Sequence, residues 1–257
     1  MHDIQNEPDG RGIAIDEVGI SGLRYPLTFD DGHTRQQGIA DISVTVALQA
    51  DRRGTHMSRM IALVHEEVAI LTPQELPLAL KRGLALLDAP ALTLTLTLPL
   101  ATPVTAPASQ QESWQTHDVT ITGRIDTDGC TVTTAVTTHV TSLCPCSKAI
   151  SDYGAHNQRS EITLHVTGNA DTPYPLPVHE MVHLLRSAGS APVIPLIKRP
   201  DERVVTMQAY DHPVFVEDII RDISLVCRRK GLPHIIKARN LESIHSHDAI
   251  AALRYTS

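Results

Sequence analysis

The chain has 257 residues, enough for one large domain or two small ones with a sizeable core. It carries 22 Lys and Arg against 29 Asp and Glu, a net charge of −7, which excludes a sequence-blind nucleic-acid binder built on broad basic surface. Aromatic residues are only 3%, too few for base-stacking platforms, and no apolar run reaches the roughly 20 residues of a membrane span.

Residues 1–26 are polar, rich in Asp and Gly and without clear periodicity, which predicts a loosely ordered segment. Within them, Met1 to Ser21 is acidic and mixed, unlike a signal peptide or an Arg-rich transit sequence, so the expected address is cytoplasmic. Ile42, Val44, Val46 and Leu48 alternate with small polar residues and predict a half-buried strand. Thr72-Pro73-Gln74-Glu75 reads as a capping box with proline in the first turn, opening a helix towards Leu87. Leu92, Leu94, Leu96 and Leu98 alternate with threonines and predict a second strand, and the Pro- and Ala-rich run 101–111 predicts a connection.

Val119 and Ile121 mark a further strand, and Asp126-Thr127-Asp128-Gly129 a turn. Val132 to Ser142 predicts a strand delivering the chain to Leu143-Cys144-Pro145-Cys146, and Ile162, Leu164 and Val166 predict another. Val178, Met181, Val182 and Leu185 follow helical spacing, as do Val216, Ile219, Ile220, Ile223 and Cys227. A last strand is expected over His234 to Ala238. Runs of strands followed by helices predict an α+β fold, with antiparallel sheet and helices packed on one face.

Chemistry concentrates in Ser142 to Ser160, where His156 follows Cys144 by twelve residues and Cys146 by ten. Thiolate and imidazole form a borderline-soft donor set suited to zinc, and a site short of ligands keeps a position open for water. Spacing does not choose between the two cysteines. Cys130 and Cys227 read as structural thiols. His56-Met57-Ser58-Arg59, Lys148, Arg159 and the group Lys237, Arg239, Asn240 and Ser243 before His245 and His247 supply donors that together could hold a polyanion such as triphosphate.

These blocks resemble type IB GTP cyclohydrolase I. The resemblance rests on His56-Met57-Ser58-Arg59, on Cys144-Pro145-Cys146-Ser147-Lys148 with Gly154-Ala155-His156-Asn157-Gln158-Arg159, and on Lys198-Arg199-Pro200-Asp201-Glu202. It continues through Phe215-Val216-Glu217-Asp218 and Asn240 to Ala249, in family order. It implies a tunnelling fold of two tandem modules within residues 27–257, split near residue 110, and a homo-oligomer, as a homotetramer with active sites between subunits. The implied reaction opens the imidazole ring of GTP, releases formate and gives 7,8-dihydroneopterin triphosphate, at the entry to folate synthesis.

The same resemblance assigns a divalent metal, zinc or manganese with iron as a further candidate, to Cys144, His156 and Glu202, with Cys146 as the alternative thiolate. Both cysteines belong to the catalytic site by this reading. Glu217 would take the guanine N1–H and amino group, and His245 or, by preference, His247 would transfer the proton. Arg59 and Arg239 would hold the triphosphate, with His56 and Lys237 as weaker choices. A related nitrile reductase carries Glu-Ser-Lys-Ser, whereas Glu242-Ser243-Ile244-His245 lacks the lysine.

Overall fold

The computed structural model describes residues 4–256. The strands are β1 (Ile15–Asp30), β2 (Arg35–Leu48), β3 (Ile70–Leu71), β4 (Leu92–Thr105), β5 (Glu112–Asp126), β6 (Gly129–Leu143), β7 (Asn157–Asn169), β8 (Ala191–Pro192), β9 (His234–Asn240) and β10 (Ala249–Tyr255). The helices are α1 (Met57–Glu67), α2 (Leu76–Leu87), α3 (Pro145–Ile150), α4 (Val178–Ala188), α5 (Arg199–Asp211) and α6 (Val216–Arg229). Strand order is β10-β9-β7-β6-β5-β4-β2-β1-β3, with β8 paired to β6. The pairs β1–β2, β2–β4, β7–β9 and β9–β10 are antiparallel, and the short β3 runs parallel to β1. The α+β expectation holds. No described helix is long and apolar enough to cross a membrane.

The chain divides into two compact units, interleaved in sequence rather than cut once near residue 110. The first holds residues 1–98, 120–134 and 167–175. Its strands bury Phe29, Ile42, Val44, Leu92, Leu94 and Leu96, the apolar half of each alternating pattern, while α1 contributes Met60 and Leu63 and α2 Leu76 and Leu80. Gly83 sits inside α2 because a Cβ there would lie 2.7 Å from Leu63 Cδ2 and 2.8 Å from Leu92 Cδ2. The missing side chain is what lets α1, α2 and β4 close together. At the β1–β2 turn the buried Asp31 accepts from the amides of His33 and Thr34 and, through Oδ2, from the Tyr174 hydroxyl at 2.8 Å.

Several expectations need correction here. From Ile15 onward the segment expected to be loose is strand β1; residues 1–3 lie outside the described residues. Its alternation is broken by register shifts between Ile15 and Val18 and between Ile20 and Leu23, and within the second of these Gly22 takes φ +70°, a left-handed conformation that glycine adopts without strain. Thr72 makes no side-chain cap; residues 73–75 form a 3₁₀ turn before α2. Strand β4 continues to Thr105, shortening the expected connection to 106–111. Helices α1 and α5 have no counterpart among the predicted elements, and β10 follows the strand expected to be last.

The second unit holds residues 99–119, 135–166 and 176–257. Val136, Val140, Ile162, Leu164, Ile236 and Ala238 form its sheet-side core, with Met181 and Leu185 from α4 and Ile219, Ile223 and Cys227 from α6. Burial pushes the Cys227 thiol up to about 11, as befits a packing group. Within this core, His117 on β5 bonds Thr102 on β4 through Nε2 (2.9 Å) and Thr138 on β6 through Nδ1 (2.8 Å). Burial, aided by the charge of Arg186 and by His139, pushes His117 down to about 4 from its ordinary 6.5.

The folded chain therefore keeps His117 neutral while the unfolded chain protonates it near 6.5. This contribution to stability is complete above that pH and is lost as pH falls towards about 4. Urea midpoints measured across this interval should drop in the native chain and drop less steeply in His117→Gln. Parallel profiles would remove His117 as the cause.

Candidate active site

Within the second unit, three strand ends and one helix start are joined by buried side chains. Ser160 on β7 and Asn240 on β9 are register partners, and the Ser160 hydroxyl donates to Asn240 Oδ1 at 2.6 Å. Asn240 Nδ2 donates in turn to Ser142 Oγ on β6 (3.2 Å), whose own hydroxyl donates to the Val214 carbonyl at 2.9 Å. All three side chains are buried. The chain continues from these residues to Cys144, two positions past Ser142, to Glu242, two past Asn240, and to Glu217, three past Val214. His156 lies four before Ser160.

Cys144 caps α3, its sulfur accepting from the Ser147 amide at 3.4 Å, and its own amide donates to the His156 carbonyl at 3.0 Å. That backbone bond sets the two residues side by side. His156 Nδ1 lies 2.8 Å from Gln158 Oε1 and 3.8 Å from Glu242 Oε2. An amide oxygen only accepts, so Nδ1 carries the proton and Nε2 keeps its lone pair. The ring of His245 meets His156 edge-on at 6.2 Å between centroids, and His245 stacks on His247 at 5.2 Å. Two sequence blocks about ninety residues apart thus converge.

Glu242 is the residue that sequence reasoning missed. Its side chain is only 10% exposed, and Oε2 is buried with no hydrogen-bond partner. A carboxylate oxygen shut from water calls for a hydrogen-bond donor or a cation, and the structure sets His156 Nδ1 beside it at 3.8 Å. Its place in the Asn240–Ala249 block was the only signal; burial was invisible.

The other expected residues fall as follows. Cys146 is exposed on α3. Glu202 is exposed in the first turn of α5, whose start is fixed by the neighbouring Asp201. That buried carboxylate accepts from the amides of Ala108, Ser109 and Lys198 and from the Ser109 hydroxyl, which hold it well below the usual carboxylate range despite burial. Lys148 donates to the Tyr210 carbonyl and lies over its ring, tying α3 to α5. Glu217 is exposed in the first turn of α6. Lys237 and Arg239 project from the exposed face of β9, where Asp248 grips the Arg239 guanidinium at 2.7 and 2.6 Å. His56 and Arg59 belong to the first unit, at the start of α1.

Among the described residues, no three His, Cys, Asp or Glu side chains are gathered to hold one metal. Glu202 is thus not brought onto Cys144 and His156 as a three-donor set. The chemistry of the donors nonetheless fits a borderline divalent ion: a half-buried thiol, an imidazole with Nε2 free to ligate, its Nδ1–H held by Gln158, and a buried carboxylate oxygen awaiting a cation.

Removing the Asn240 amide leaves the Ser142 and Ser160 hydroxyls short of buried partners, so Asn240→Ala should cost about 1–3 kcal/mol in urea unfolding. Unchanged stability would mean that this connection does not hold the strand ends.

Comparison with known proteins adds the family. The model for type I GTP cyclohydrolase folE2 matches residues 1–251. GTP cyclohydrolase FolE2 from Cupriavidus necator is 41% identical, over 98% of this chain and 94% of that protein. The protein of the same name from Neisseria gonorrhoeae is 38% identical over 98% of both. In fold, the chain is similar to uricase from Arthrobacter globiformis, with TM-score 0.55, 8% identity and 93% of each chain covered. A thermostable mutant of that uricase gives TM-score 0.52 at 9% identity, covering 94% of this chain and 92% of its own. The architecture is the tunnelling fold. Matched along almost its entire length, the chain belongs to the type I GTP cyclohydrolase FolE2 family.

Proposed function

We propose that this chain hydrolyses GTP to 7,8-dihydroneopterin triphosphate and formate, the first step of tetrahydrofolate biosynthesis. The observation that carries the reading is the convergence of the Cys144–His156 block with Glu242, His245 and His247 in a member of this family. Water must add to C8 of guanine, an imidazole-ring nitrogen must be protonated, and formate must leave. His245 and His247, exposed and stacked beside His156, suit proton transfer near neutral pH, with His247 preferred. Cys146, in the first turn of α3 beside Cys144, supplies the second thiol of the site.

Cys144, His156 and Glu202 would hold a divalent metal, zinc or manganese with iron as a further candidate, which when bound would polarise the attacking water. Glu217 presents a carboxylate whose two oxygens match the guanine N1–H and amino group. Arg59 and Arg239 would hold the triphosphate, with His56 and Lys237 in support. Arg239 keeps only some of its guanidinium for phosphate while Asp248 holds the rest.

We further infer a cytoplasmic homotetramer with active sites at subunit interfaces. A reducing compartment keeps Cys144 and Cys146 as thiols. Ile150 at the end of α3, Tyr153 just beyond it and Ile244 beside His245 are 86%, 89% and 64% exposed, an apolar rim that a neighbouring copy would cover.

Purified protein supplied with GTP and zinc or manganese should release formate, and absence of formate with either metal would overturn the reading. Cys144→Ala should abolish turnover and metal retention together; full activity in that variant would sink the ligand assignment. Glu217→Gln should raise KM for GTP by about ten- to a hundredfold, from loss of charge-assisted hydrogen bonds, with metal content unchanged. Recovering this variant as metal-free protein would instead move Glu217 to the metal.

A further inference from the structure

The backbone of His156 is clamped on both sides. Its carbonyl accepts from the Cys144 amide at 3.0 Å, and its own amide donates to the Ser147 hydroxyl at 3.3 Å. These bonds leave the ring free to turn about its side-chain torsions, the outer of which is broad and roughly two-fold. Gln158 removes that freedom, because its Oε1 lies 2.8 Å from Nδ1. Turning the ring over would put a carbon where Nδ1 stands and break the bond.

We infer that Gln158 is the positioning residue that aims Nε2 of His156 at the metal, an inference that rests on the reading of His156 as a metal ligand. Gln158 is itself anchored as the second residue of β7, only 7% exposed and on the same inward face as Ser160, Ile162 and Leu164. A buried side chain in a packed strand has few rotamers to choose from, so the amide orients the ring rather than following it. Its oxygen accepts from Nδ1–H and so leaves the lone pair on Nε2, across the ring. Glu242 approaches the same Nδ1 only to 3.8 Å, beyond hydrogen-bond reach, so the amide and not the carboxylate sets the ring.

A ligating imidazole ordinarily donates its second N–H to a carboxylate, a carbonyl or water. The Gln158 amide does the same without adding a second negative charge beside Glu242. Gln158 thus acts through His156, and its loss lowers metal affinity rather than abolishing it.

The test is the zinc affinity of the full chain, measured on metal-free protein by competition with a chromophoric chelator. Gln158→Met keeps the length of the side chain and removes the acceptor, and should weaken zinc binding by about ten- to a hundredfold. Gln158→Glu restores an acceptor oxygen at the same position and should recover most of that loss. Added to His156→Ala, Gln158→Met should cost nothing further, an outcome that a merely structural role for the amide would not give. Native affinity in Gln158→Met, equal weakness in the Met and Glu variants, or a full additional loss in the double variant would each overturn the proposal. Native affinity in His156→Ala would instead overturn the ligand reading beneath it, so the two failures are told apart.

Discussion

The buried contact among Ser142, Asn240 and Ser160 does more than satisfy three polar side chains. It ties the ends of β6, β7 and β9 to one another and, through the Val214 carbonyl, to the start of α6. Each of those chain segments then runs only a few residues before delivering a candidate functional group. A hydrogen-bonded amide inside a core is costly if mispaired, and that cost makes it directional. The strand ends can meet in one relative position, so the groups they carry inherit that position.

Asp201 has a comparable role at the start of α5. With oxygens occupied by three amides and a hydroxyl, it seats that helix against the 106–111 connection and so fixes where Glu202 leaves it. A carboxylate with this many donors is stabilised as the anion although it is buried. His117 shows the opposite solution in the same unit: hydroxyl partners and burial keep it neutral. One core accepts an anion and a neutral imidazole because each is met by groups that suit its charge state.

How much of this is legible in the sequence depends on whether burial follows a period. The Leu92–Leu98 alternation and the Val216–Cys227 stripe are read directly because one face of each is apolar throughout. Helix α5 escapes because its buried positions are Asp201 and Ala209, and a carboxylate contributes nothing to an apolar stripe. Strand β10, at the sheet edge, has no fully buried residue, and the bulges in β1 interrupt its pattern. At the site, Cys144, His156 and the terminal histidines stand out by residue type and spacing. Glu242 does not, since only the fold reveals that its carboxylate is buried against His156.

The alternation of β9 has one more implication. Ile236, Ala238 and Asn240 face the core, while Lys237 and Arg239 face outward. Gain or loss of a single residue within this strand would reverse every side chain beyond that point. It would bury two cations and expel the amide that joins the strand ends. Only a bulge of the kind present in β1 could absorb such a change without turning the strand over.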